Sequence, residues 1–345
     1  MRSHVRKDND PVMGYATEQT LANKNTYKAF LDSLTFPDKE QFKNAVKRIF
    51  SHDAKLYISH PINESIGHEG YFNDVLCPMM KSFRGLHRRE YIIAGSEYNG
   101  SEWMSSTGYY AGKFENDWLG IPASGKLAYI RNGEFHKMQD GKIVESYIFL
   151  GLAELIIDLG LWPLAESEGY NGHLPGPATQ DGLSIKKVDL LRSKETAKMV
   201  DDMCKNLASP DQAWAPYWHK NMHWYGPGGL GSFITVEAFG EFQTPFEQTF
   251  KGWGRGREDN IFTTKIDCKG GDGDYVYLSG WPALTGIHIK PFLGIQPTNK
   301  RIYIRDCDWW RCEGNLIVEN WCMIDTLHLV NQLGVDVLSE LKKNI

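Results

Sequence analysis

Residues 120–161 read GIPASGKLAYIRNGEFHKMQDGKIVESYIFLGLAELIIDLGL, and residues 294–335 read GIQPTNKRIYIRDCDWWRCEGNLIVENWCMIDTLHLVNQLGV. Advancing the numbering by 174 places one stretch on the other without a gap. Identical residues then coincide along the whole length: Gly120 and Gly294, Tyr129 and Tyr303, Arg131 and Arg305, Glu145 and Glu319, Leu159 and Leu333. This repetition predicts a duplicated domain of roughly 150 residues. Two fused copies resemble a homodimer whose subunits were joined, so we expect an internal pseudo-dimer.

The composition suits two compact domains. The 345 residues are 41% hydrophobic and 23% charged, with a formal net charge of -5. The absence of a basic block argues against a nucleic-acid partner. No apolar run reaches membrane-spanning length, and the first residues lack the apolar segment of a signal peptide. We therefore expect a cytoplasmic protein with no membrane partner. Further dimerisation of the tandem chain is left open.

The chain divides into four predicted segments. Residues 1–24 are polar and irregular and are expected to form a surface arm. Residues 25–162 form the first domain, the Pro/Gly-rich residues 163–186 a linker, and residues 187–345 the second domain. In each domain helical periodicity is followed by strand-like segments, a Gly-containing turn and a closing helix. This order predicts an α+β fold, with two cone-shaped α+β barrels in which a curved antiparallel sheet wraps on helices around a pocket.

Several of the repeated residues resemble a known family. The run from Gly120 to Lys126, then Arg131, the turn from Asp140 to Glu145, and Leu159-Gly160 resemble the SnoaL-like polyketide cyclases of the nuclear transport factor 2-like superfamily. The second copy repeats this order more loosely. The superfamily includes cyclases, dehydratases, isomerases, epoxide hydrolases, cofactor-independent lyases and non-enzymatic binders. The resemblance therefore implies the fold more strongly than a reaction.

The resemblance also implies that a catalytic group is missing. Enzymes of this group often carry an acid on the last strand, three residues after the Glu of the Gly-x-Ile-Val-Glu turn motif. Here that position is Ile148 in the first copy and Cys322 in the second. The family's usual carboxylate is thus absent from both copies.

Strand alternation and pairing around the turn predict which residues line each pocket. If residues 148 and 322 face inward, pairing places Tyr129 with Arg131, and Tyr303 with Arg305, on the same inner walls. A guanidinium beside a phenol in a low-dielectric cavity can stabilise a carboxylate, a phenolate or a developing enolate. The alternative is that both arginines lie at the rim in structural ion pairs.

Other pocket residues follow from the same resemblance. The first strands are expected to send Tyr57, His223 and Tyr225 inward, and the middle strand Tyr110. His223 is the preferred general base, because an imidazole has an unperturbed pKa near neutrality, although a lone histidine can also be structural. The predicted substrate-binding residues are Trp103, Phe135, Ile148, Trp309, Asn320 and Cys322.

The opposite strand face is assigned to the contact between the copies. It carries Glu134, His136, Glu145 and Tyr147, matched by Asp308, Trp310, Glu319 and Trp321. An error of one residue in the pairing would exchange the two faces. Glu134 and His136 would then form an acid–base pair inside the pocket.

Two further patterns are rejected and one is left open. His219 and His223 are four residues apart, but position 220 is Lys rather than Glu, so we expect no zinc site. Residues 252–257 are Gly-rich, but no Lys-Ser/Thr follows, which argues against a phosphate loop. Five arginines could ring a pocket mouth for an anionic ligand or could simply be solvated: Arg84, Arg88, Arg89, Arg255 and Arg257.

Together these features predict a cofactor-independent enzyme of lyase, cyclase or isomerase type. Its substrate would be a bulky, apolar and aromatic small molecule, because aromatic residues make up 12% of the chain. Cleavage of a diaryl diol with release of formaldehyde is one reaction that the resemblance allows. The alternative is a non-catalytic small-molecule-binding or scaffold protein of the same fold.

Overall fold

The computed structural model describes residues 13–36, 38–183, 185–207, 211–252 and 266–343. The first half contains β1 (Gly14–Tyr15), α1 (Glu18–Ser33), α2 (Lys39–Ile49), β2 (Phe50–Ile58), β3 (Asn63–Ile66), α3 (Gly67–Gly70), a π-helix (Tyr71–Leu76), α4 (Cys77–Ser82), β4 (Phe83–Tyr98), β5 (Ser101–Phe114), β6 (Leu127–Gln139), β7 (Lys142–Leu150) and α5 (Leu152–Asp158). The second half contains α6 (Leu190–Asn206), a 3-10 helix (Ala215–Tyr217), β8 (Trp218–Tyr225), β9 (Phe233–Ile234), α7 (Val236–Thr249), β10 (Phe250–Lys251), β11 (Cys268–Asp272), β12 (Tyr275–His288), β13 (Arg301–Glu313), β14 (Leu316–Ile324), α8 (Thr326–Gln332) and α9 (Val337–Lys343).

The strands form two related half-sheets, which confirms the predicted α+β class. In the first half β4, β5, β6 and β7 are antiparallel neighbours, and β2 adds to β7 in parallel. In the second half β11, β12, β13 and β14 repeat this arrangement, with β8 parallel to β14. The short β1 lies between β4 and β11 and joins the two half-sheets into one path.

Within the expected irregular arm, residues 14–24 instead contain β1 and the first part of α1. Thr17 caps α1 by accepting a hydrogen bond from the Thr20 backbone N–H at 3.1 Å. Polar residues on this helix are buried because they have partners: the Lys24 ammonium is 2.7 Å from the Asp272 carboxylate on β11. Buried but paired polar groups explain why the segment does not look like a core helix in the sequence.

Each half-sheet has an inner face covered by helices and an outer face that meets the other half. We call the inner spaces the first cup and the second cup. We call the contact between the outer faces the seam, which contains the buried rings of Trp103, Phe135, Tyr147, Trp309 and Trp321. The rings of Phe135 and Trp309 stack across the seam with their centroids 4.7 Å apart. The seam is therefore an aromatic core that fixes one copy against the other.

The connection between α5 and α6 runs along the first half-sheet. Gly182 accepts a hydrogen bond from the Ile93 backbone N–H at 2.8 Å, and Tyr109 bonds to the backbone of Leu174. Within the described ranges, no helix is both long and apolar enough to cross a bilayer.

Candidate functional site

A β-bulge decides which side chains enter each cup. Near the turn Met138 pairs with Ile143, but the next pair is Lys137 with Glu145, so Val144 has no partner. Beyond the bulge every residue of β6 is shifted by one relative to simple hairpin pairing, and Glu134 lies opposite Ile148. The second copy repeats the bulge at Val318, which places Asp308 opposite Cys322.

The predicted face of β6 and β13 is therefore wrong. Phe135 and Trp309 lie in the seam, as does Trp103. Tyr129 and Tyr303 are exposed by 37% and 44%, outside both cups. The predicted face of the first strands is also wrong, because β2 and β8 pair with β7 and β14 in a register that turns Tyr57 and Tyr225 toward the seam. His223 is exposed, and among the side-chain hydrogen bonds of the described chain its ring bonds only with the Tyr225 hydroxyl, at 3.1 Å.

Four of the predicted residues do lie on the inner faces. Tyr110 and Ile148 are fully buried in the core of the first cup. Cys322 belongs to the core of the second cup, and Asn320 donates a hydrogen bond to the Asp308 carboxylate there at 3.1 Å.

Both arginines of the Tyr-x-Arg pairs have structural partners. Arg131 is buried and donates to the backbone carbonyl of Gly226 at 3.1 Å. Arg305 donates to Asn63 at 3.2 Å and to Asp325 at 3.1 Å. Its guanidinium lies 4.4 Å from the ring centroid of Trp281. Both residues thus have structural partners, as in the alternative, but Arg131 is buried rather than at the rim.

The first cup contains a buried carboxylate–imidazole pair. Glu134 Oε2 is 2.9 Å from His136 Nε2, and both side chains have no exposed surface. Glu134 Oε1 accepts hydrogen bonds from Arg88 Nη1 at 2.8 Å and from the Tyr71 hydroxyl at 2.9 Å. The alternative face assignment therefore describes β6, and it brings Glu134 and His136 together inside the cup.

The neighbours of His136 define its tautomer. Because a carboxylate only accepts, Nε2 carries the proton toward Glu134. Nδ1 is then the basic nitrogen, and it lies 2.8 Å from the Ser146 hydroxyl. A serine, an imidazole and a carboxylate are thus joined in one chain of hydrogen bonds.

Burial and charge set the protonation states of this pair. Burial raises the pKa of Glu134, but Arg88 and the hydrogen bond from His136 outweigh it, and the pKa is lowered to about 2. Burial lowers the pKa of His136 below its usual value of 6.5, which the neighbouring Glu134 only partly offsets. At neutral pH the pair is a carboxylate with a neutral imidazole.

Arg88 connects the pair to further polar groups. Its Nη1 also donates to the Tyr110 hydroxyl at 2.9 Å, and its guanidinium forms an ion pair with Glu90. Glu90 in turn accepts from the Asn132 amide at 3.1 Å. Arg88 was foreseen only as a pocket-mouth arginine, and neither Glu90 nor Tyr71 has a motif that marks it in the sequence. Their assembly depends on strand register and on the π-helix.

The second cup differs at the matching positions. Asp308 replaces Glu134, but Trp310 replaces His136, so the acid has no imidazole beside it on β13. Most of the Gly-rich run considered above, residues 253–257, lies outside the described residues. In the part of the chain that the structure does describe, no three His, Cys, Asp or Glu side chains form a group able to hold a metal ion.

Comparisons with known proteins agree with this fold. Residues 246–333 match the family model of the SnoaL-like polyketide cyclases. This match confirms the resemblance, through a segment of the second copy. No curated protein matches the chain significantly.

Three solved structures that are similar to the chain each align with less than half of it. A candidate SnoaL-like polyketide cyclase from Jannaschia sp. CCS1 is 13% identical, covers 44% of this chain and 99% of its own, and gives a TM-score of 0.36. AclR, a candidate hydroxylase from Streptomyces galilaeus, is 17% identical, covers 41% of this chain and 96% of its own, and gives a TM-score of 0.33. IdmH, a candidate polyketide cyclase from Streptomyces antibioticus, is 13% identical, covers 40% of this chain and 98% of its own, and gives a TM-score of 0.34.

Proposed function

We propose that the protein is a cofactor-independent enzyme of cyclase, isomerase or lyase type, with Glu134 and His136 as its acid–base pair. The observation that carries the proposal is their 2.9 Å hydrogen bond inside the first cup. Glu134 also lies directly opposite Ile148, where the resemblance implies the family's acid. The Glu134 carboxylate on β6 would thus supply the negative charge that the family's acid would otherwise supply from β7.

In this proposal His136 is the general base. Its Nδ1 accepts a proton from an acidic C–H or O–H of the substrate, with the Ser146 hydroxyl as the relay. The Glu134 carboxylate stabilises the imidazolium that forms, and His136 returns the proton in the second half of the reaction. No redox step and no cofactor is required for such a proton transfer.

Arg88 and Tyr110 would stabilise the developing anion. The Arg88 guanidinium and the Tyr110 hydroxyl are 2.9 Å apart and both are buried. Fixed donors in a water-poor site stabilise an enolate or phenolate oxygen more strongly than water does. This suits an aromatic carbonyl compound or a diaryl diol, in which charge spreads over a conjugated system.

Substrate access would require movement of the segment that covers the pair. Tyr71 bonds to Glu134 and begins the π-helix Tyr71–Leu76, which lies between α3 and α4. Short π-helical turns often occur at functional sites. We infer that displacement of residues 67–82 opens the first cup.

The test is proton exchange into candidate substrates. A panel of aromatic ketones with an acidic α-hydrogen is incubated in D2O, and a diaryl diol is assayed for released formaldehyde. Glu134→Gln and His136→Gln should each lower the rate by about 100-fold or more, as is typical for loss of a general acid–base group. Asp308→Asn, at the matching position of the second cup, should leave the rate unchanged. The reverse pattern would assign catalysis to the second cup.

A non-catalytic binding protein is the second candidate, and the closure of the network favours it. Glu134, His136, Tyr71 and Tyr110 have no exposed surface, and their polar groups are satisfied by one another. Binding of an aromatic ligand with no exchange or cleavage across the panel, in wild type and Glu134→Gln alike, would support this candidate.

A further inference from the structure

The outer face of the first half-sheet carries a groove that the acid–base proposal does not use. Its volume is about 380 Å³, within the range of small-molecule sites, and it lies between β4, β5, β6 and the connection that follows α5. Its walls include the rings of Tyr91, Tyr109, Tyr129 and His173, with Arg89 also lining it.

The connecting segment forms the groove because it is pinned to the sheet. The Tyr109 hydroxyl accepts from the Leu174 N–H at 2.8 Å and donates to the Leu174 carbonyl at 2.9 Å. Gly176 allows the close approach, because a Cβ there would come within 2.7 Å of Tyr91 Cβ. These contacts fix the connecting segment against β4 and β5, and they therefore fix the width of the groove.

The aromatic rings provide a flat binding surface. The His173 ring stacks on Tyr109 with centroids 4.4 Å apart, and it lies 4.7 Å from the ring of Tyr129. Tyr129 is 37% exposed, so part of its ring is available for contact. A planar aromatic ligand can pack against such rings at little entropic cost.

The charges of the groove favour an anion. Arg89 is exposed, and it forms no ion pair with any described residue. Glu90 also lines the groove, but its carboxylate is already bound to Arg88 and Asn132. A carboxylate at Arg89 would therefore gain a charge-assisted hydrogen bond that no residue described here supplies.

We propose that this groove is a binding site for a small aromatic acid, whose ring packs against Tyr129 and His173 and whose carboxylate bonds to Arg89. The site belongs to the tandem chain, because the segment that closes it joins the two copies. Tyr303, which matches Tyr129, instead uses its backbone N–H and C=O to bond Gln332. The inference does not depend on the proposed function of the first cup.

The probe is 2-naphthoate, with neutral 2-naphthamide as its isostere, titrated into the full chain by calorimetry. We expect saturable binding of naphthoate and at least about tenfold weaker binding of the amide, as a lost charge-assisted contact predicts. Arg89→Gln and Tyr129→Ala should each weaken naphthoate binding by a similar factor. The matched controls Arg84→Gln, on the same strand, and Tyr303→Ala, in the second copy, should bind as wild type.

A second readout locates the ligand. The ring protons of His173 should shift on addition of naphthoate, and Glu134→Gln should retain full binding because Glu134 faces the cup. Absence of saturable binding would overturn the proposal. So would binding that is unaffected by Arg89→Gln and Tyr129→Ala, or binding that Glu134→Gln abolishes, since the ligand would then occupy the first cup.

Discussion

Arg131 and Arg305 occupy the same position in the two copies, and each bonds to the opposite copy. Arg131 on β6 reaches the Gly226 carbonyl after β8, whereas Arg305 on β13 reaches Asn63 after β2. Reciprocal contacts of this kind are the signature of a two-fold interface. They account for the retention of both arginines without any catalytic role, and they agree with descent from a symmetric dimer.

Replacement of these arginines should affect stability. Arg131→Met removes a buried cation that bonds to Gly226 and lies 3.7 Å from Glu154, so we expect a loss of about 3 kcal/mol in the free energy of unfolding. Arg305→Met should cost less, because its side chain is partly exposed. Urea unfolding measures both changes, with Arg84→Gln as the control. Unchanged stability of Arg131→Met together with lost turnover would contradict the structural role.

The stability of the protein should fall as the pH falls below about 6.5. Burial lowers the pKa of His136 in the folded state, so the unfolded chain binds an additional proton in the window below 6.5. His136→Gln should reduce the slope of unfolding free energy against pH by up to about 1.4 kcal/mol per pH unit in that window. His52→Gln, at an exposed histidine, is the control. Parallel curves for wild type and His136→Gln would rule out a depressed pKa.

Glu134 adds a second decrease in the stability of the protein at lower pH. Its pKa is about 2 in the fold against a usual 4.5, so its contribution is present above pH 4.5 and disappears as the pH falls toward 2. Glu90 acts in the opposite direction, because burial raises its pKa. The difference between wild type and Glu134→Gln isolates the Glu134 contribution. We expect this difference to shrink as the medium is acidified below pH 4.5, and a constant difference would contradict the assignment.

The seam should tolerate no added volume at Gly133. A Cβ at this position would lie 2.7 Å from Trp309 Cη2, so Gly133→Ala should cost about 1–3 kcal/mol through overpacking. Trp309→Leu alone should also destabilise, because it leaves a cavity. In the double variant the new methyl group occupies part of that cavity, and the two costs should be less than additive. Additive values in urea unfolding would show that the two sites do not share this space.

Tyr110→Phe should separate catalysis from folding. The hydroxyl bonds to Arg88, and its loss should cost about 1 kcal/mol of stability. If it stabilises the reacting anion, turnover should fall by about 100-fold. Tyr303→Phe, on an exposed ring of the second copy, is the control for the assay. A fall in stability without any fall in turnover would remove Tyr110 from the mechanism.

The fold could be predicted from the sequence, whereas the side chains that β6 and β13 send into the cups could not. Duplication, hairpin turns and alternating strands leave a clear pattern in residues 120–161 and 294–335. The face of β6, however, depends on the bulge at Val144, and a single unpaired residue exchanges every inward and outward side chain beyond it. Val144 itself is an ordinary strand residue, so nothing in the sequence marks the bulge.

The polar network around Glu134 could not be predicted from the sequence for a second reason. Arg88, Glu134 and Tyr71 come from β4, β6 and the π-helix, and no local spacing relates them. Tyr110, Ile148 and Cys322 were placed correctly by the resemblance, and Asn320 by its alternation with Cys322 on β14, so none of them depended on pairing across the bulge. The predicted face failed on β6 and β13 beyond the bulges and on the first strands β2 and β8, and Trp103 on β5 was also misplaced.

Among the described residues, the strand Gly14–Tyr15 has no counterpart in the second half, whereas most of the strands around it are repeated. It fills the gap between β4 and β11. Only glycine fits at position 14, because a Cβ there would come within 1.9 Å of the Glu97 carbonyl oxygen. An exact two-fold relation between the halves would require two such strands or none. The two halves are therefore not equivalent at their junction, and two separately produced halves could not rebuild that junction symmetrically.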